Sequence, residues 1–333
     1  MVTRKLRVGI AGLGRKGKRH AINFDELTAR ADVVAASTSD HNERQWAAKN
    51  LEGVQIFQDY DEMVEKANLE AVVVASVTAV HAEQARKAIK KGLHVLCEKP
   101  LSIDVEVAQS VVSAYEQSLK NYPQQKVMCN FSRRFDASYR EAHGGVTKGE
   151  FGSPYAKTSG GIFVDCSIHD IDLMLWFLGE NRKIKSLQAV GVCAVHPGLE
   201  ASNDRDNAIA TVEFEGGKIA ALYCSRMMAA GQEDTTEIIC EKGSVRVNMQ
   251  VRKKHVEIQD SLGARRELPQ HYYERFREAF ITEANEFTAC CLDDIPPPIS
   301  LQSSVKAVSI GQALQRSLIS GEKIYFDGAS IKN

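Results

Sequence analysis

Six residues, Gly12-Leu13-Gly14-Arg15-Lys16-Gly17, constrain this chain more than any others. They follow a short apolar, strand-like run at residues 6–11 and open a helical stretch, so they join a strand to a helix. Glycines at that spacing permit a tight turn, let backbone amides approach an anion and allow strand and helix to pack closely. The helix N-terminus behind them favours a pyrophosphate. GxGxxG alone arises often by chance, so its context carries the weight.

That context is a series of strand–helix units. Strand-like runs at 6–11, 33–37, 71–75, 94–97 and 126–130 alternate with amphipathic stretches such as 79–91. There Ala82, Ala85, Ala88 and Ile89 recur at helical spacing, and Gly92 supplies the stop. The alternation predicts βαβ units and a doubly wound parallel sheet, an α/β dinucleotide-binding Rossmann domain over residues 1–128. After Gly152 the pattern changes. A helical stretch at 165–178 precedes longer alternating runs at 185–194, 208–214, 218–225, 237–240 and 244–249. Glu215-Gly216-Gly217 and Glu241-Lys242-Gly243 have the composition of hairpin turns. Residues 129–333 are thus expected to form an α+β domain with a large, mostly antiparallel open sheet, serving substrate binding and oligomerisation. Helices at 271–292 and 303–320 close the chain around Pro296-Pro297-Pro298, and the last is expected to pack back on the first domain.

Length agrees with two domains, since 333 residues exceed one ordinary hydrophobic core. Forty-two basic residues against 43 acidic ones give no general attraction to nucleic acid or anionic membranes. No apolar run approaches the roughly 20 residues of a membrane span, and residues 1–7 lack a signal peptide's apolar core. Eight scattered cysteines, outside any CxxC framework, read as reduced residues of a cytoplasmic protein with no metal site.

Two places carry candidate chemistry. Where the second strand ends, NAD enzymes place an acidic residue against the ribose hydroxyls. Here the slot falls on Thr38, with Asp40 two residues late. Small hydroxyl side chains leave room for a 2′-phosphate, which Arg15, Lys16 or Arg44 would meet, so the reading leans to NADP(H) over NAD(H) with Asp40 as the rival ribose ligand. Further on, Asp165, His169 and Asp172 lie at i, i+4 and i+7, which on a helix gathers two carboxylates and an imidazole on one face. Ile168, Ile171, Leu175 and Leu178 mark the neighbouring core stripe. Alone, this pattern also describes a packed helix with a polar flank.

The fourth strand runs into Gly92-Leu93-His94-Val95-Leu96-Cys97-Glu98-Lys99-Pro100. With the glycine loop, residues 76–81, 130–135 and 160–172, this set resembles the glucose-fructose oxidoreductase, inositol dehydrogenase and rhizopine catabolism (Gfo/Idh/MocA) family over almost the whole chain. The resemblance implies hydride transfer between a nicotinamide, NAD or NADP, and a secondary alcohol of a polyol or sugar, in the manner of inositol 2-dehydrogenase. It makes Lys99, Asp165 and His169 catalytic. A neutral imidazole suits the hydroxyl proton, so His169 is the base. Asp165 holds it or binds a substrate hydroxyl, and Lys99 donates to the reacting oxygen. Gly12, Leu13, Gly14, Arg15, Lys16, Gly17, Thr38, Asp40, Ser76, Val77, His81, Glu98 and Lys99 are the expected cofactor contacts. Lys99, Arg134, Asp165, His169 and Asp172 are the expected substrate contacts. Alternatives stand beside two of them: His81 simply faces the cleft, and Arg134 forms a surface ion pair. Asp172 and Trp176 are candidates to line the pocket, with helix packing the safer assignment for Trp176. Arg252-Lys253-Lys254 reads as a solvated face. The family also implies a cis Lys99-Pro100 bond and a homodimer or homotetramer through the C-terminal sheet.

One departure bears on activity. Between Gly149-Glu150-Phe151-Gly152-Ser153-Pro154 and Gly160-Gly161 only five residues intervene, about twenty fewer than the family pattern. The first strand of the C-terminal sheet and part of the pocket wall are therefore expected to be lost. Two readings compete with the dehydrogenase: a low-activity shortened variant, and a dinucleotide-sensing regulator, since the same fold includes a fungal repressor of galactose genes.

Overall fold

The structure, a computed structural model, describes residues 4–147, 155–159, 162–227, 231–248, 257–261, 263–327 and 330–331. The chain divides into two compact units, Met1–Ser132 with Glu278–Val308 and Arg133–Arg277 with Ser309–Asn333.

In the first unit the elements run β1 (Leu6–Ala11), α1 (Arg15–Glu26), β2 (Ala31–Ser37), α2 (His41–Asn50), β3 (Gln55–Phe57), α3 (Tyr60–Lys66), β4 (Ala71–Val74), α4 (His81–Lys90), β5 (His94–Glu98), α5 (Val105–Ser118) and β6 (Val127–Asn130). The strands form a parallel sheet ordered β3-β2-β1-β4-β5-β6. Val8, Ile10, Val72, Val73, Val95, Leu96 and Met128 are fully buried. Helices cover both faces of such a sheet, which is why its strands read as continuous apolar runs rather than alternating ones. Strand order reverses between β1 and β4, and the crevice beyond their carboxyl ends is where this architecture binds ligands. The glycine loop lies there. Gly12 has φ +85°, and a Cβ on it would stand 2.5 Å from the Ser76 Cα. A Cβ on Gly17 would stand 1.9 Å from the Gly12 carbonyl oxygen, so the turn admits no side chain at either position.

The second unit carries α6 (Ala137–Thr147), β7 (Tyr155–Ser159), α7 (Ile168–Leu178), β8 (Ile184–Val192), β9 (Asn207–Phe214), β10 (Lys218–Ser225), β11 (Thr236–Cys240), β12 (Gly243–Val247), the hairpin β13 (Glu257–Asp260) and β14 (Gly263–Arg266), and the late strands β15 (Ile324–Asp327) and β16 (Ser330–Ile331). Its main sheet is ordered β12-β11-β7-β10-β9-β8-β15-β16, antiparallel except where β7 meets β10. The chain passes between the units within α8 (Tyr272–Asp293) and α9 (Leu301–Ser320). The first of these is broken at Phe276 (φ −114°, ψ 19°), beside the division.

Two expectations are corrected here. The strand expected to be lost after Pro154 is present as β7, interior to the sheet and hydrogen-bonded to β10 and β11. Helix α7 begins at Ile168 rather than Asp165, because residues 162–167 form a turn in which the Cys166 and Ser167 amides donate to the Ile162 carbonyl. Residues 148–154, the Gly160-Gly161 pair and Arg252-Lys253-Lys254 lie outside the described residues. All eight cysteines lie within them, and none is disulfide-bonded. Among the described residues no helix is long and apolar enough to cross a membrane.

Candidate active site

A cleft of about 670 Å³ opens at the switch point of the first unit, a size that suits a bound small molecule. The glycine loop walls it with Gly12, Gly14, Arg15 and Lys16, the end of β2 with Ser37 to Asp40, and the loop after β4 with Ser76 and Val77. Helix α1 follows Gly14 at its N-cap, with no side-chain cap and no acid in its first turn. A Cβ on Gly14 would meet only Glu43 Oε1, at 3.6 Å, so the loop's outer face stays open. Uncapped amides behind an open glycine face fit a dinucleotide pyrophosphate.

At the end of β2 the polar groups are arranged differently from the sequence reading. Asp40 Oδ1 accepts the Glu43 amide at 2.9 Å and so caps α2. Arg44 Nη1 donates to the carbonyls of Thr38 and Ser39, at 2.9 and 2.7 Å. Lys16 Nζ lies 3.6 Å from Glu98 Oε1 and 4.6 Å from the Phe280 ring centroid. The carboxylate standing at the slot belongs to Glu43, whose Oε2 accepts the Thr38 hydroxyl at 2.5 Å and which lines the cleft. Glu43 escaped the sequence reading. Its signal was local: Asp40-His41-Asn42-Glu43 has capping-box spacing, which turns the acid at the third helical position back toward the cap.

At the end of β5, Glu98 is buried at 4% exposure. Its Oε1 meets His20 Nε2 at 2.9 Å and Asn130 Nδ2 at 3.1 Å, and its Oε2 accepts the Lys99 amide at 3.2 Å. Burial opposes its charge, but Lys16 and His20 outweigh burial and hold the carboxyl ionised, far below its usual range. The Lys99-Pro100 bond is cis. His81 is buried, with Nδ1 3.0 Å from the Pro100 carbonyl oxygen and Nε2 3.0 Å from that of Ser76, so it ties these two loops together. Ser76 Oγ donates to Gln84 at 2.7 Å, while Val77 is 70% exposed beside it.

In the second unit the expected trio separates. Asp165 is exposed in the turn before α7, with Oδ2 3.5 Å from Arg226 Nη1, whose Nη2 lies 2.9 Å from Asp204. His169 is half-buried in the first turn of α7. Asp172 is buried and engaged: its two oxygens take Arg134 Nε at 2.9 Å and Nη2 at 2.7 Å, and Arg134 Nη1 reaches Glu180 at 2.6 Å. Burial disfavours the Arg134 charge, but the Asp172 and Glu180 carboxylates outweigh it and keep the guanidinium protonated. Arg134 also lies over Trp176, which stacks on His143 at 3.9 Å. Arg134 and Asp172 therefore spend their polar groups largely on each other. One residue before Arg134, buried Arg133 bridges Asp170 and Asp234. Arg226, which the sequence reading passed over, stands beside Asp165 because β10 ends there.

Residues 6–122 match the GFO_IDH_MocA model, an oxidoreductase family with an NAD-binding Rossmann fold, and residues 126–246 match the GFO/IDH/MocA C-terminal domain. The chain is 27% identical to scyllo-inositol 2-dehydrogenase (NAD(+)) of Bacillus subtilis over 97% of each chain. It is 28% identical to myo-inositol 2-dehydrogenase of Thermotoga maritima over 94% of this chain and 96% of that one. A crystal structure of scyllo-inositol dehydrogenase from Lactobacillus casei with bound NAD(H) and scyllo-inositol superposes with a TM-score of 0.90 at 30% identity, covering 97% of this chain and 99% of the other.

Proposed function

This chain belongs to the Gfo/Idh/MocA oxidoreductase family, a dehydrogenase of CH–OH groups with an NAD-binding domain, and we propose that it oxidises a secondary hydroxyl of an inositol. The observation carrying the reading is the buried, ionised Glu98 at the carboxyl end of β5, which accepts the amide of Lys99 and lies 3.6 Å from Lys16 of the glycine loop. Gly12, Gly14 and the uncapped start of α1 would hold the dinucleotide, which when bound would supply the acceptor for the hydride of the carbinol carbon. Lys99 donates a hydrogen bond to the reacting oxygen and stabilises its alkoxide character. His169 takes the hydroxyl proton, so the alcohol loses hydride and proton and leaves as a ketone. Asp165, exposed and steadied by Arg226, orients the substrate's hydroxyls.

The preferred cofactor is NAD(H), against the lean drawn from the small hydroxyl side chains at Thr38 and the cations Arg15, Lys16 and Arg44. Lys16 and Arg44, two cations read as partners of a 2′-phosphate, are engaged with Glu98 and with backbone carbonyls, and Glu43 brings a carboxylate to the slot. Relatives named for NAD(+) or crystallised with NAD(H) support this preference. The enzyme assembles from copies of itself through the open sheet. Val190, Ile209 and Tyr223 are cross-strand partners on β8, β9 and β10, exposed at 57%, 50% and 49%, and form an apolar row that a second copy covers. Cysteines without disulfides support a place in the cytoplasm.

The test is a polyol panel with NAD+ and with NADP+, read by absorbance of the reduced nicotinamide. Turnover of an inositol that is lost in Lys99→Met and His169→Asn is the expected outcome. Binding of NADH without turnover of any polyol would overturn the dehydrogenase and favour the cofactor-sensing regulator.

A further inference from the structure

Glu98 is an unusual place for a charge. It has almost no solvent, and burying a carboxylate costs several kcal/mol unless partners restore what water supplied. Its four contacts come from three elements: Lys16 and His20 from α1, Asn130 from β6, and the Lys99 amide from its own strand end. Asn130 Nδ2 also lies 3.2 Å from His20 Nε2, closing a triangle of side chains around one carboxylate oxygen. Helix α1 is the helix whose uncapped N-terminus faces the cofactor cleft. The carboxylate thus stands between the dinucleotide's helix and the lysine of the reaction.

We propose that Glu98, clamped by His20, is a positioning residue for Lys99: it fixes the Lys99 peptide to helix α1, so that the lysine is held at a set place relative to the bound dinucleotide. The inference rests on the catalytic reading of Lys99 above. Among the described residues the buried Cys97 thiol of β5 also feels the Glu98 charge, and so does Glu283 of α8, fully buried with neither oxygen hydrogen-bonded. Burial, reinforced by the Glu98 charge, raises its pKa well above the ordinary carboxylate value, which leaves Glu98 as the ionised acid of the two. Held ionised by Lys16, His20 and Lys99, Glu98 also sets the local field at Lys99.

The experiment compares Glu98→Gln, His20→Asn and Lys99→Met in the full-length protein, measuring kcat, inositol KM, NADH affinity by fluorescence, melting temperature and the pH profile of kcat. Glu98→Gln keeps the shape and removes the charge. It should lower kcat by about tenfold or more with inositol KM and NADH affinity within about threefold, and move the alkaline limb of the profile down by roughly half a pH unit. His20→Asn leaves the carboxylate in place, so it should lower kcat less and leave that limb unmoved. If Glu98→Gln does not fold, Glu98→Asp serves instead: it keeps the charge but draws back from the Lys99 amide, so kcat should fall with the limb in place. The proposal is overturned if Glu98→Gln keeps kcat within about threefold of the parent, or loses it only in proportion to folded protein with the limb unmoved. Lys99→Met separates the two levels. Turnover surviving in Lys99→Met refutes the catalytic role itself, whereas its loss alongside an unaffected Glu98→Gln refutes only the positioning.

Discussion

Arg134 and Asp172 stood in the sequence as substrate ligands, and in the structure they are a buried ion pair, a difference that one substitution resolves. The side chains are 4% and 1% exposed and meet through two hydrogen bonds of 2.9 and 2.7 Å. Arg134→Ala leaves the Asp172 carboxylate in the interior without its cation. The Glu180 contact is one-third exposed on the acid's side and contributes little to the cost. Breaking a buried pair from one side costs about 3–5 kcal/mol, because the remaining charge has neither water nor partner. At roughly 2–4 °C per kcal/mol for a unit of this size, the melting temperature should fall by about 6–20 °C. Urea unfolding gives the free energy directly. Steady-state kinetics in the cold, where the variant remains folded, should show inositol KM within about threefold of the parent. The double variant with Asp172→Asn should recover part of the loss, since neither buried charge then stands alone. An Arg134→Ala protein within about 1 kcal/mol of the parent, but with KM raised tenfold or more, would refute the structural assignment and return both residues to the substrate.

Three further outcomes follow from the geometry. Glu43→Ser removes the carboxylate at the cofactor slot. Like charges about 5 Å apart repel by roughly 3 kcal/mol at an effective dielectric of about 20, and about half of that at this partly exposed site, so the NADPH-to-NADH affinity ratio should rise about tenfold. An unchanged ratio in fluorescence titrations would remove Glu43 from the selection of cofactor. His94 is pushed down to about 4 by burial, reinforced by Lys126, and its Nδ1 accepts the Lys126 amide at 2.9 Å. Because the unfolded chain takes up this proton first, stability is lost as pH falls from about 6.5 to about 4, by at most about 3 kcal/mol. His94→Gln should flatten that part of a urea-midpoint profile, and identical acid profiles would sink the assignment. Ile209→Asp, in the middle of the exposed row on the open sheet, should lower the mass found by light scattering to that of one chain. An unaltered oligomer mass would place the interface elsewhere.

How much of this was legible depends on what lay across from each residue. The parallel sheet showed itself because both its faces are covered, so strands such as Ala71–Val74 are apolar throughout. Gln55–Phe57 gave no such signal, being three residues long and at the sheet's edge. Tyr155–Ser159 has no apolar run at all, and its place comes from the strands β10 and β11 pairing on either side. Helical arithmetic put Asp165, His169 and Asp172 on one face, but the turn at residues 162–167 takes Asp165 out of the helix, and Asp172 meets an arginine 38 residues earlier that no local spacing reveals. Glu43 was within reach, since its spacing from Asp40 is a local signal. Glu98 shows where the boundary lies. Its place beside Lys99 is written in consecutive residues, yet its function as a clamp depends on His20, 78 residues away. Whether a polar side chain is a ligand or a staple is decided by its partner, and partners of that separation are supplied by the sheet's crossovers rather than by any pattern along the chain.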